Sequence, residues 1–150
     1  MTHPENKRLT ETIKALNIAY LALLFGMLML GALFIFLINY DATGVNYDAE
    51  TQYIINMSAL FLSIAAIPGG YYLFSQKGKQ AQNISNEEGK IELFKNTTIL
   101  KLAAFELAGI GNLIAFLLCQ SQQSLLIFAI VTIVFLMNKP SQQSYFDNFE

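Results

Sequence analysis

One cysteine, one histidine, three prolines and no tryptophan leave this 150-residue chain little of the usual apparatus for crosslinking or chemistry. A lone cysteine excludes a disulfide-built fold. The single histidine is His3, so the chain cannot assemble a Ser-His, Cys-His or His-rich metal constellation. No phosphate loop or dinucleotide fingerprint occurs. Basic charge is also scarce, with 9 Lys and Arg against 11 Asp and Glu, a formal net charge of −2 that argues against a nucleic-acid binder. Charged residues make up only 13% of the chain, where globular domains carry roughly a quarter.

Apolar and aromatic residues fill 54% of positions and the mean hydropathy is +0.43. They fall in blocks, and the charges fall between the blocks. Ala15 to Ile38 is a block of 24 residues interrupted only by Asn17; as a helix it extends about 36 Å, enough to cross a hydrocarbon core of about 30 Å with tilt. Tyr53 to Phe74 carries Asn56, Ser58, Ser63 and the run Pro68-Gly69-Gly70, read as a break near its far end. The third block, Leu102 to Cys119, contains Glu106 and Asn112, and its span is taken from about residue 98. The fourth has 13 strictly apolar residues, Leu125 to Met137, and reaches spanning length only as 122–138, with Gln122, Gln123 and Asn138 in the headgroups. The expectation is an all-α integral membrane four-helix bundle of one domain, residues 1–150, with spans at 15–38, 53–74, 98–119 and 122–138.

Charge placement orients it. All nine basic residues lie before the first block, between the second and third, or after the fourth, whereas the 39–52 loop holds Asp41, Asp48 and Glu50 and no Lys or Arg. By the positive-inside rule both termini and the middle loop are cytoplasmic. The first block is too long for a cleaved signal peptide and reads as an anchor that stays. Ser85 followed by Glu88 has capping-box spacing, which predicts one long helix from about Asn86 to Cys119 whose first turns project from the membrane, with Glu92 and Lys95 as an i,i+3 pair. In the tail, Tyr145, Phe146 and Phe149 either rest at the membrane interface or belong to a loose end.

Glu106 is the only charge inside any apolar block, and an ionised carboxylate deep in a bilayer costs at least a few kcal/mol. Lys101, five residues earlier, is expected to snorkel to the headgroups. Asn17, Tyr20 and the Pro68-Gly69-Gly70 run fall at similar depths, so the spacing predicts a polar layer of Asn17, Tyr20, Pro68, Gly69, Gly70 and Glu106. In that layer Glu106 either exchanges a proton or cation, or ties helices together. A single carboxyl with no second acid at another depth makes no relay, which favours the tie or a partner contact over transport. Asn112 is rotated away from Glu106 and reads as an interhelical hydrogen bond. Ala22 with Gly26, Ala59 with Ser63, Ala66 with Gly70, and Gly111 with Ala115 are small-xxx-small pairs that permit close helix contact.

The run Leu102-Ala103-Ala104-Phe105-Glu106-Leu107-Ala108-Gly109, followed by a short turn, a fourth span and Asn138-Lys139-Pro140-Ser141, resembles a group of small uncharacterised four-helix bacterial integral membrane proteins. The resemblance covers about the last third of the chain. It implies a bacterial cytoplasmic-membrane protein with Glu106 at a recurring position, and it carries no activity. A fainter likeness to the proteolipid subunits of rotary ATPases fails, because those helices are thin and Gly-rich while these are bulky with Leu and Phe. The expected function is non-enzymatic, without cofactor or metal: an accessory subunit or self-associating component whose partners are the lipid bilayer and a homo-oligomer or larger membrane complex, and no nucleic acid. The alternative is a proton- or cation-linked transport component using Glu106.

Overall fold

The computed structural model describes residues 4–40 and 46–149. These form five helices and no strand: α1 (Pro4–Asn39), α2 (Ala49–Ala81), α3 (Glu87–Cys119), α4 (Gln122–Met137) and α5 (Gln142–Phe149). His3 and Asp41 lie outside the described residues.

The helices outrun the apolar blocks, and they do so at the basic end. α1 opens at Pro4, in the first turn, where a missing N–H costs nothing. α2 runs without interruption through Pro68, so the expected break at Pro68-Gly69-Gly70 is absent. Pro68 points outward and the two glycines after it leave room for the backbone to adjust. α3 is capped one residue later than the capping-box spacing predicts: Asn86, and not Ser85, accepts a hydrogen bond from the Glu88 amide at 3.0 Å. At its other end Gln120 adopts a left-handed φ of 51° and donates its N–H to Phe116 O at 2.8 Å, closing the helix and reversing the chain within two residues. Pro140 cannot extend α4 as a helix, and α5 leaves at 84° to it.

α3 is the central helix, packed against α2, α4 and α1. It runs parallel to α1, since Gly109 lies beside Met27, and antiparallel to α4 and α2, since Gly109 also faces Val131 and Gly70 faces Lys101 and Phe105. One core cluster, Tyr20, Met27, Leu102, Phe105, Leu113, Phe128 and Phe135, fills the space between α1, α3 and α4. A second, Leu9, Ile13, Leu16, Phe74, Ala81, Ile91, Phe94, Tyr145 and Phe149, lies at the basic end. Here the tail departs from both readings of it: α5 is a docked helix, with Tyr145 and Phe149 buried, and only Phe146 of the three rings remains exposed.

The outside is apolar. Ile18, Phe25, Phe61 and Leu126 are among the large apolar side chains turned outward, where soluble monomers rarely carry such extended patches. α1, α2 and α3 are each long and apolar enough to cross a membrane. Thus the chain is all-helical with three long apolar helices, which fits a membrane protein. α4, with 16 residues, extends about 24 Å and falls short of a full hydrocarbon core by itself.

Candidate functional site

The six residues expected to form one polar layer do not meet. Adding seven residues to Asn17 along the α1–α3 register leads to the level of Leu24, which is where Glu106 lies; Asn17 is therefore about 10 Å nearer the basic end. Its Nδ2 donates to Ile13 O at 2.9 Å within its own helix. Tyr20 turns to α4, donating its hydroxyl to Leu136 O at 3.2 Å and stacking on Phe135 at 5.2 Å. Pro68 is at the depth of Glu106 but on a helix that Glu106 faces away from. Gly70 is buried against Lys101 and Phe105, and Gly69 faces open space. Glu106 itself, half-buried, borders the outward strip of Ile99, Ala103, Leu107 and Ile114, on the α1 side. Its carboxyl makes no hydrogen bond or ion pair among the described residues, and the α1 and α4 residues at its level, Leu23, Leu24 and Val134, are apolar.

The polar layer that does exist lies deeper. Asn112 is fully buried, and its Nδ2 donates to Ser63 Oγ at 2.6 Å, to Ala59 O at 3.4 Å and to Ala108 O at 2.8 Å. One amide thus joins α3 to α2, as its rotation away from Glu106 predicts. Ser63 Oγ donates in turn to Ala59 O at 3.1 Å. Two turns toward the other end of α2, Asn56 Oδ1 accepts from Ser124 Oγ at 2.6 Å, tying α2 to α4. Asn56, Ala59 and Ser63 recur at helical spacing on one face of α2. That periodicity was open to inspection in the sequence; the partner Ser124 was not.

The small-residue pairs divide. Ala59 with Ser63 lies in the α2–α3 seam, where a methyl on Gly111 would stand 2.6 Å from Leu62 Cδ2, and Ala115 is buried beside it. Ala66 lines an open apolar groove between α2 and α3, with Gly69, Ala103 and Ala104. Ala22 and Gly26, by contrast, point out of the molecule, and nothing stands within 4 Å of the place a Gly26 methyl would take.

The basic end holds what the sequence reading missed. Lys101 does not snorkel. It is 7% exposed, and its ammonium sits 3.9 Å from the centroid of the Phe74 ring and 5.8 Å from that of Tyr71, a cation–π arrangement worth about 0.5–2 kcal/mol. No carboxylate among the described residues pairs with it. The rings of Phe74, Phe94, Tyr145 and Phe149 meet edge to face at 5.2–6.2 Å. Tyr145 also donates its hydroxyl to Glu87 Oε2 at 2.9 Å, and Lys90 donates to Glu87 Oε1 at 2.9 Å. The ion pairs here are Glu87 with Lys90 and Arg8 with Glu88, in place of the expected Glu92 with Lys95. The Lys90 ammonium and then the Tyr145 hydroxyl hold the Glu87 carboxyl below the usual carboxylate range.

A lowered carboxylate pKa stabilises the folded form above the usual carboxylate range, and that contribution disappears as pH falls through the lowered value. Docking of α5 is therefore expected to loosen on acidification through the carboxylate range. Tyr145→Phe, which removes one hydrogen bond, is expected to cost about 0.5–1.5 kcal/mol and to flatten the pH dependence. Amide exchange of residues 142–149 against pH checks both; an identical profile in the variant would rule out the Glu87 link.

No group of three His, Cys, Asp or Glu side chains gathers among the described residues in a way that would hold a metal ion. Comparison with protein-family models, curated proteins and solved structures gives no match for this chain. Chemically, the arrangement offers a carboxyl on an outward strip that is unpaired among the described residues, a buried amide seam, and a buried ammonium beneath aromatic rings.

Proposed function

We propose that this chain is a non-enzymatic, multi-pass membrane component that works by assembling with a second transmembrane surface, with Glu106 as the contact. The observation that carries this is the position of Glu106: at bilayer depth, half-exposed, with no partner among the described residues. A carboxyl left against lipid costs several kcal/mol, and a neighbouring chain that hydrogen-bonds it removes that cost. The outward pair Ala22 and Gly26 supports the same reading, since small residues allow close helix approach and this pair has no use inside the molecule. The favoured partner is a second copy of the chain, in a complex at the cytoplasmic membrane of a bacterium, as the resemblance of residues 102–141 implies. Both termini and the α5 lobe are cytoplasmic in this reading, and α4 completes a fourth span with Asn138 and the glutamines at its ends in the headgroups.

Native mass measurement from lipid nanodiscs tests it. The wild type is expected to leave the membrane as an oligomer or complex. Glu106→Leu, which removes the polar group while easing insertion, is expected to raise the dissociation constant by about 3- to 30-fold, with Glu106→Gln intermediate. A strictly monomeric wild type that recovers no crosslinked partner would sink the proposal. The rival reading, proton- or cation-linked transport, would replace it if reconstituted vesicles showed a pH-dependent flux that Glu106→Gln abolished while leaving assembly intact.

A further inference from the structure

Beyond assembly, and independent of it, the basic end of the molecule contains a built polar pocket. It lies between α3, the α4–α5 corner and α5, and has a volume of about 250 Å³. Lys101 and Thr98 line its α3 wall, Lys139 the corner, and Ser144 and Asp147 the α5 wall. Two features mark it as more than a surface dent. Lys101 is buried to 7% exposure and forms no ion pair among the described residues, its ammonium lying against the faces of Phe74 and Tyr71. Thr98 is 2% exposed, and its Oγ1 has no hydrogen-bond partner. Lys101 and Thr98 line one cavity; their ammonium and orphan hydroxyl each carry a desolvation cost, which an anion bound there would reduce.

We propose that this pocket binds a phosphate group, held by Lys101 and Thr98 with Lys139 as the second cation. Lys101 and Lys139 outweigh Asp147, the one acid in the wall, so the site favours an anion. An ammonium with three donors and a hydroxyl match a tetrahedral oxyanion better than they match a cation or an apolar guest. The first turn of α5 lines the same pocket, and the positive end of its dipole adds to the field. The phosphate comes either from an anionic phospholipid headgroup or from free phosphate in solution. The pocket opens where α4 ends at Met137–Lys139, just past the apolar segments, and basic pockets between helices at that level take lipid headgroups.

The test uses the full-length protein in two settings. In nanodiscs of phosphatidylcholine with a minor fraction of phosphatidylglycerol, native mass spectrometry counts retained lipid. In neutral detergent, phosphorus NMR and calorimetry follow titration with inorganic phosphate. The wild type is expected to retain phosphatidylglycerol over phosphatidylcholine, or to bind inorganic phosphate saturably; the first result assigns the headgroup, the second free phosphate. Lys101→Met is expected to weaken that binding about 10- to 100-fold, the usual consequence of losing a charge-assisted hydrogen bond. Thr98→Val and Lys139→Gln are expected to weaken it less, and they carry the test if Lys101→Met does not fold. Lys95→Gln, an exposed lysine outside the pocket, is expected to change nothing. A wild type that binds neither probe, or pocket variants that bind as the wild type does, would overturn the proposal.

Discussion

Gly78→Ala is expected to expel α5 from the basic-end lobe. The single added methyl would collide with the backbone carbonyl of Asn148, and a backbone atom in a docked helix cannot yield as a side-chain tip can. What is lost is the burial of Tyr145 and Phe149, which are 2% and 0% exposed and contribute about 1.5–3 kcal/mol each at full burial. The expected cost is about 2–5 kcal/mol, close to that of Phe149→Ala. Faster amide exchange over residues 142–149 and loss of near-ultraviolet dichroism from the aromatic cluster would register it. Two companion substitutions sharpen the test. Gly26→Ala and Gly69→Ala meet nothing within 4 Å on their own chain, so the fold of the single chain is expected to be unchanged or to gain up to about 1 kcal/mol through helix propensity, while Gly26→Ala weakens assembly. If all three behaved alike, the close approach of α2 and α5 would not be what requires glycine at position 78.

The second large effect is expected at Asn112. Its Nδ2 faces three acceptors, Ser63 Oγ, Ala59 O and Ala108 O. Asn112→Asp keeps the shape and places an anion where a donor stood. In a membrane interior the charge costs about 2.5–3.5 kcal/mol, added to the lost bonds. Asn112→Ala removes the same bonds without a charge and is expected to cost about 1–2 kcal/mol. Reversible unfolding in bicelles would rank the two. At low pH the Asp variant should recover, because a protonated carboxyl can again donate to Ser63. An Asp variant as stable as the wild type at neutral pH would show that the amide is not the link between α2 and α3.

Much of the helical layout was legible in the chain. The apolar blocks predict long helices, and α3 begins within one residue of the place its capping spacing indicates. The role of Asn112 was legible too, because 100° of rotation per residue turns it away from Glu106 toward a different neighbour. The polar layer around Glu106 failed on the same geometry. Position along each helix sets Pro68 level with Glu106. Depth carries no angular information, however, and α2 lies against the face of α3 bearing Asn112, Phe105 and Lys101, not the one bearing Glu106. For Asn17 the error was axial. The offset between parallel α1 and α3 is set by how Met27 and Gly109 interlock, which no count along one helix can supply.

The tail and Lys101 share one physical cause. Tyr145, Phe146 and Phe149 stand among glutamine, serine and aspartate, too polar a stretch to announce a buried helix. Lys101, next to an apolar block, has the placement of a snorkelling lysine. Only when Phe74, Phe94, Tyr145 and Phe149 converge from three helices does an aromatic cluster form that seats α5, and Phe74 with Tyr71 then covers the ammonium.

The order of residues by itself determined that this protein is helical, that its long apolar segments fit a membrane, and that its basic residues gather at one end. Those properties are sums over contiguous residues, and contiguity is what a sequence records. Tertiary structure alone decided that Glu106 is left without a partner among the described residues, that Asn112 finds Ser63, and that Lys101 and Thr98 share a pocket under α5. Each of those depends on the rotation and axial offset between helices far apart in the chain, which interlocking side chains set and no single helix contains.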